Sequence, residues 1–174
     1  PHQAAMMNAA ARGRSTLLIA PTGAGKTLAG FLPTLLRITQ RVSNWRGQAK
    51  GAGLDTLYVS PLKALAVDVE RNVLAPIDEM GLRVRTETRT GDTSIARRQR
   101  QRANPPDILM TTPEQLALLL SHADAGYLFA DLRTVILDEL HALAGSKRGD
   151  LLALDLARLR ALAPDMIAFG LSAT

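Results

Sequence analysis

A chain of 174 residues, 47% of them hydrophobic, is long enough for one compact core and too short for two domains of ordinary size. Lysine and arginine outnumber aspartate and glutamate by 21 to 16; this net +5 suits a polyanionic partner but does not by itself identify one. The absence of cysteine excludes disulfides and thiolate metal sites and fits a reducing compartment, His2, His122 and His141 are too scattered to suggest zinc, and no apolar run approaches the ~20 residues that span a bilayer.

The chain opens at Pro1 and stops at Thr174 directly after a strand-like run, so it is expected to be a piece of a longer protein, truncated at both ends. Helical spacing over Gln3–Ala11 leads into a first strand, Thr16–Ala20, then a glycine loop and a helix over Thr27–Gln40. Ser43–Asp55, polar and glycine-rich and carrying the only tryptophan, Trp45, reads as a mobile surface loop; Trp45 is a loop anchor or a platform for a base. Strand Thr56–Ser60, helix Leu62–Met80, strand Arg83–Thr88, helix Ser94–Arg102, strand Asp107–Thr111, helix Glu114–Ser121, strand Thr134–Asp138, helix Asp150–Leu162 and strand Met166–Leu171 complete the series. Such alternation predicts right-handed βαβ units, hence an α/β fold with a mostly parallel central sheet and helices on both faces, a three-layer sandwich.

After the first strand comes Ala20-Pro21-Thr22-Gly23-Ala24-Gly25-Lys26-Thr27. Strand, glycine loop and helix are the context of a P-loop, in which backbone N–H groups and the helix N-terminus converge on phosphate oxygens. Lys26 would reach the β- and γ-phosphates and the Thr27 hydroxyl would join a Mg²⁺ shell. The usual first glycine is Ala20 here; at a strand end, before the tight part of the loop, alanine is expected to be tolerated.

The run Val135-Ile136-Leu137-Asp138-Glu139-Leu140-His141 delivers two carboxylates and an imidazole at a strand's C-terminal end, where parallel sheets place ligands. Asp138 is suited to hold Mg²⁺, and Glu139 to orient an attacking water. Alone, an Asp-Glu pair after a strand is ordinary turn chemistry; with the P-loop it becomes the second half of an ATPase site. His141 is either a cap for the next turn or a part of the machinery.

These residues resemble a family. Asp138-Glu139-Leu140-His141 is similar to the DExH box of superfamily 2 helicases, and Ser172-Ala173-Thr174 to their SAT motif, which implies a first RecA-like domain spanning 1–174. The resemblance implies that Ser172 and Thr174 bond toward the acidic box, with His141 as partner, coupling ATP state to nucleic-acid grip. It implies that Gln3 reads the adenine edge, a role its donating and accepting amide suits. It also places Ser60-Pro61-Leu62-Lys63-Ala64-Leu65, Thr90-Gly91-Asp92-Thr93 and Thr111-Thr112-Pro113-Glu114 on the nucleic-acid face; read from chemistry alone these are phosphate-holding strand ends or plain helix caps.

Within superfamily 2 the chain resembles the large helicase-related (Lhr) family, through Ser60 to Asp68, Arg89 to Thr93 and, above all, His141-Ala142-Leu143-Ala144-Gly145-Ser146-Lys147-Arg148-Gly149. It looks like the subgroup associated with a DNA ligase and a repair nuclease. The resemblance implies ATP and Mg²⁺, single-stranded or partly duplex DNA, 3′ to 5′ movement, a bacterial cytoplasmic setting at the nucleoid, and a second RecA-like domain whose arginines complete the ATP site. An RNA-directed DExH motor and a non-catalytic nucleic-acid-binding lobe are the competing readings; a P-loop kinase or GTPase leaves His141 unexplained. The basic run Arg97-Arg98-Gln99-Arg100-Gln101-Arg102 reads as a solvated face or a DNA backbone contact.

Overall fold

The computed structural model describes residues 2–44, 53–62, 69, 77, 79, 81–82 and 84–174. Its strands are β1 (Thr16–Ile19), β2 (Thr56–Val59), β3 (Thr86–Arg89), β4 (Ile108–Thr111), β5 (Thr134–Leu137) and β6 (Ile167–Ser172). Around them lie α1 (His2–Ala11), α2 (Lys26–Asn44), α3 (Ile95–Ala103), α4 (Pro113–Ser121), α5 (Ala125–Phe129), α6 (Leu140–Leu143) and α7 (Lys147–Leu162). All strand pairs are parallel, in the order β1-β6-β5-β2-β4-β3.

The central strands are apolar on both sides because both faces are covered, as parallel sheets require. Along β2, Leu57 and Val59 join Leu109, Val135 and Leu137 beneath α4, α5 and α7, whereas Tyr58 joins Ile108, Met110, Ile136 and Phe169 beneath α1 and α2. On α2, Phe31, Leu35 and Ile38 recur at helical spacing and are buried against that second face. Full burial of each such side chain contributes about 1.5–3 kcal/mol. Gly30 is needed for the close approach of α2 to the sheet, since a Cβ there would lie 3.3 Å from Leu171 Cδ1.

At the N-terminal edge Arg37 fastens α2 to the sheet. Its guanidinium forks onto Asp55 at 2.5 and 3.1 Å and donates to Thr134 Oγ1 at 2.9 Å, while Thr34 and Thr56 share a hydroxyl bond of 2.9 Å. Because α2 begins in the glycine loop, this clamp also holds that loop relative to β5.

The structure shifts several sequence expectations. Helix α2 continues to Asn44, so Ser43 and Asn44 are helical rather than loop. Strand β3 lies at Thr86–Arg89, later than Arg83–Thr88, because its register is set by pairing with Ile108–Thr111 and not by apolar content. Helix α7 starts at Lys147, where Ser146 caps it by accepting from Gly149 N at 3.1 Å. Two short helices, α5 and α6, were not anticipated. Of the helix expected over Leu62–Met80, Val69, Ile77 and Glu79 are helical, with Val69 and Ile77 buried, and Leu62 precedes it in a bend. The remainder of that helix, with Lys63, and Trp45 with most of its loop, lie outside the described residues. Among the described residues no helix is long and apolar enough to cross a membrane.

Candidate nucleotide and nucleic-acid site

Among the described residues, the motifs that follow strands sit at the C-terminal edge of the sheet, and strand order sorts them in space. Reading across the edge, β1 leads to the glycine loop, β6 to Ser172-Ala173-Thr174, β5 to Asp138-Glu139-Leu140-His141, β2 to Ser60-Pro61, β4 to Thr111-Thr112-Pro113 and β3 to Thr90-Gly91-Asp92. Ile19 is in register with Ser172, Leu137 with Gly170, and Val59 with Leu137, so neighbouring strands end nearly level. The candidate phosphate-binding residues therefore occupy one half of the edge and the candidate nucleic-acid stretches the other.

The loop from Pro21 to Gly25 is exposed, and Gly23 and Gly25 have φ of 80° and 77°. That left-handed backbone favours glycine and turns successive N–H groups toward one concavity. Buried Lys26 throws its ammonium back across the loop, donating to Ala20 O at 2.6 Å and Pro21 O at 3.0 Å. Ala20 is itself buried, and its N–H bonds Ser172 O at 3.1 Å, so the departure from glycine costs nothing sterically. Thr27 opens α2 beside Lys26, half-buried. Gln3 joins the site from α1: its Nε2 lies 3.8 Å from where a Cβ on Gly25 would stand.

Asp138 is buried and both its oxygens are held. Oδ1 accepts from Glu139 N at 2.9 Å and Oδ2 accepts from the Tyr58 hydroxyl. Burial, then the Asp138 carboxylate, drives the Tyr58 phenol far above its ordinary range, with Ser60 opposing, so Tyr58 keeps its proton and donates it to Asp138. Glu139 has φ 47° and ψ 44°, the one described non-glycine residue at positive φ. Its carboxylate meets His141 Nε2 at 3.3 Å. Nδ1 lies 3.4 Å from Ala173 N and 3.2 Å from Ser172 Oγ, which is 2.5 Å from Thr174 O. His141 thus bridges the acidic box to the end of β6. Thr174 meets Ser172 through its backbone, its N–H lying 3.4 Å from Ser172 Oγ.

On the other half, Ser60 and Thr111 are fully buried: Ser60 N bonds Thr111 O at 3.0 Å, and the Thr111 hydroxyl bonds Arg89 O at 3.0 Å. Thr112 and Pro113 are buried at the start of α4, Pro61 is buried, and Gly91 and Asp92 are exposed. The Thr90 N–H donates to Thr93 Oγ1 at 2.9 Å. Arg97 and Arg100 on α3 are exposed and Arg98 and Arg102 half-buried, and each also has a partner within the chain. Arg97 and Arg100 bond Glu87 at 3.1 Å, and Arg102 pairs with Asp124 at 3.2 Å. Arg98 Nη2 caps the carbonyls of Thr90 and Gly91 at 3.3 and 2.6 Å. Burial, then Arg98 and Arg102, pushes the neighbouring Arg89 down to about 10.

Sequence reasoning missed Tyr58 and Arg98. The only trace of Tyr58 was a phenol in an otherwise apolar strand that feeds the edge, and Arg98 was hidden among like residues.

A parallel sheet with a glycine loop, an acidic box and a histidine-to-serine bridge along one edge defines a RecA-like P-loop motor domain. The sequence pattern of the family described as "DEAD/DEAH box helicase" matches residues 1–174, and the chain belongs to that family as a helicase motor domain. It is similar to Lhr helicases: 46% identical to the Lhr helicase/probable uracil glycosylase of Mycolicibacterium smegmatis, over 100% of this chain and 12% of that protein. Against the Lhr helicase/uracil glycosylase of Escherichia coli the figures are 47%, 95% and 11%. The solved structure of Mycobacterium smegmatis helicase Lhr, bound to single-stranded DNA and AMP-PNP, matches with a TM-score of 0.85 at 45% identity, covering 100% of this chain and 22% of that one. The chain therefore spans only a small fraction of the length of the relatives it matches.

Proposed function

We propose that this chain is the first ATP-handling lobe of a DNA translocase that couples ATP hydrolysis to 3′ to 5′ movement and strand displacement. The observation that carries the reading is the ordered edge, with the glycine loop and Asp138-Glu139 on one half, the candidate nucleic-acid stretches on the other, and the His141–Ser172 contact of 3.2 Å near the acidic box. The backbone N–H groups of Thr22, Gly23, Ala24 and Gly25 and the Lys26 ammonium bind the ATP phosphates; Gln3 holds the adenine edge. Mg²⁺ takes hard oxygen ligands and keeps waters and phosphates, so a single buried carboxylate, Asp138, and the Thr27 hydroxyl suffice on the protein side. When bound, the ion neutralises charge between the outer phosphates. Glu139 orients the attacking water. Ser172 and Thr174 link Glu139 and His141 to motion of the neighbouring lobe.

On the nucleic-acid half, the turn Thr90-Gly91-Asp92 and the α4 N-terminus at Thr112-Pro113 meet phosphates, Ser60, Pro61 and Thr111 set the shape of these loops, and the Lys63 ammonium adds attraction for the backbone. Likeness to a helicase solved with single-stranded DNA favours DNA over RNA. A second RecA-like domain of the same polypeptide supplies arginines across the nucleotide, worth ~10³–10⁵ in rate, so this lobe alone hydrolyses ATP slowly. The setting is the bacterial cytoplasm, at the nucleoid, in repair alongside a nuclease or ligase.

The test is ATP hydrolysis by the full-length protein with oligodeoxythymidine, with RNA, and with neither, together with strand displacement on partial duplexes of opposite tail polarity. DNA-stimulated hydrolysis and displacement from a 3′ tail are expected, and the Glu139→Gln variant should bind ATP yet barely turn over. Stimulation by RNA that equals or exceeds DNA overturns the substrate, and unchanged turnover in Glu139→Gln overturns the mechanism.

A further inference from the structure

Arg148 lies in the first turn of α7, immediately after the segment that leaves the acidic box. A cation there opposes the helix macrodipole, so local helix stability gives no reason for it. Its guanidinium reaches away from α7 instead. Nε and Nη2 fork onto Glu114 at 2.5 and 3.2 Å, and Nη2 also donates to Pro61 O at 2.7 Å. Glu114 opens α4 after β4, and Pro61 follows β2, so one side chain ties together the ends of β2, β4 and β5. The hydrogen bond from Arg148 holds the Glu114 carboxyl below its usual range.

The base of this side chain is stiff. Ser146 Oγ accepts from Gly149 N at 3.1 Å and donates to Leu143 O at 2.7 Å, and α6 and α7 approach so closely that a Cβ on Gly149 would stand 2.2 Å from Leu143 O. Arg148 and Glu114 side chains are 40% and 48% exposed, where an ion pair adds only about 0–1 kcal/mol. Fold stability therefore gives little reason for a three-way contact of this geometry.

We propose that Arg148 is a positioning residue for nucleic-acid binding: it sets the separation of the Pro61 and Thr112-Pro113 loops and links it to the segment that follows Asp138-Glu139. Movement of α6 driven from the ATP half then shifts both loops through one guanidinium. Nucleic acid seated on the loops acts back along the same route, since coupling between sites is reciprocal. The proposal rests on the motor reading above and adds a residue that neither touches ATP nor needs to touch nucleic acid.

The experiment measures ATP hydrolysis by the full-length protein against oligodeoxythymidine concentration, for the wild type, Arg148→Met, Arg148→Lys and Glu114→Gln. Arg148→Met keeps most of the stem and loses the donors. It should leave hydrolysis without DNA within about twofold while raising the half-saturating oligonucleotide concentration about tenfold, the scale of a lost charge-assisted fork. Arg148→Lys should fall between, having one point charge and no fork. Glu114→Gln should shift the same parameter, and its combination with Arg148→Met should be less than additive. A half-saturation unchanged in Arg148→Met, with the wild type clearly stimulated, overturns the positioning role and leaves the motor reading standing. Loss of DNA-free hydrolysis together with a lower thermal midpoint makes the residue structural and also overturns it. A wild type that DNA does not stimulate removes the motor reading and this inference with it.

Discussion

The hydroxyl of Tyr58 donates to Asp138 Oδ2 from the neighbouring strand, while the same ring stacks on Phe31 with centroids 5.3 Å apart. One side chain therefore belongs both to the apolar core under α2 and to the acidic box. With Oδ1 engaged by the Glu139 amide, the carboxylate has no freedom to rotate. Removing the hydroxyl and keeping the ring isolates that restraint. In the full-length protein, Tyr58→Phe should raise the Mg²⁺ concentration for half-maximal ATP hydrolysis about tenfold, the range of outer-shell losses at metal sites. Its thermal midpoint should change little. A Mg²⁺ titration that superimposes on the wild type would show that Asp138 is positioned without the phenol.

The His141 bridge makes a different prediction. His141→Ala or Ser172→Ala breaks the contact between the box and the end of β6 and leaves Lys26, Asp138 and Glu139 in place. DNA-stimulated hydrolysis should survive within a few-fold, while strand displacement per ATP consumed falls about tenfold, within the usual range of coupling energies. Parallel measurement of both rates on one duplex decides it. Equal losses in both would assign His141 to the hydrolytic step itself.

Asp155 sets a pH dependence far from the site. It is 1% exposed on α7, and its Oδ2 has no hydrogen-bond partner. Burial pushes the carboxyl up from 3.8 to about 6, with Arg158 opposing. The folded state thus holds this proton more tightly than the unfolded chain. The associated stability is complete below about pH 4, declines as pH rises through about 6, and is absent above. Asp155→Asn should raise the thermal midpoint at pH 7.5, give no gain at pH 4, and flatten the slope between. Midpoints recorded across that range would expose the error if variant and wild type stay parallel.

Gly149 sets two effects against each other. Helix propensity favours alanine over glycine by about 1 kcal/mol in a helix interior. The Cβ would, however, meet a backbone carbonyl, Leu143 O, at 2.2 Å, and backbone cannot swing aside as a flexible side chain can. Overpacking typically costs 1–3 kcal/mol, so Gly149→Ala should destabilise by about 1–2 kcal/mol. Urea denaturation gives the sign directly, and a stabilised variant would mean that α6 yields.

The legible parts of the chain are those whose chemistry requires neighbours in sequence. A phosphate cradle needs successive amides from Thr22 to Gly25, and Asp138 and Glu139 must leave one strand together; such features survive being read in one dimension. Strand β3 was displaced because Thr86–Arg89 has no apolar face of its own and takes its register from β4. Helix α6 escaped notice because Glu139 turns the chain through a left-handed residue immediately after the strand, and no sequence signal for that turn precedes it. The run from Arg97 to Arg102 shows the limit most plainly. Its partners, Glu87, the Thr90 and Gly91 carbonyls and Asp124, come from three places along the chain, so only the fold reveals how these guanidinium groups are held.

In its proposed water-orienting role, Glu139 sets activity and durability in opposition at a single position. A non-glycine residue in the left-handed region carries a conformational cost of about 1–2 kcal/mol, which the fold must offset elsewhere. Replacing it with glycine would relax the backbone and discard the carboxylate in the same step. Screens that reward heat resistance alone should therefore drift toward inert proteins at this site, and a stabilised motor that still runs has to find its gains at positions such as Asp155.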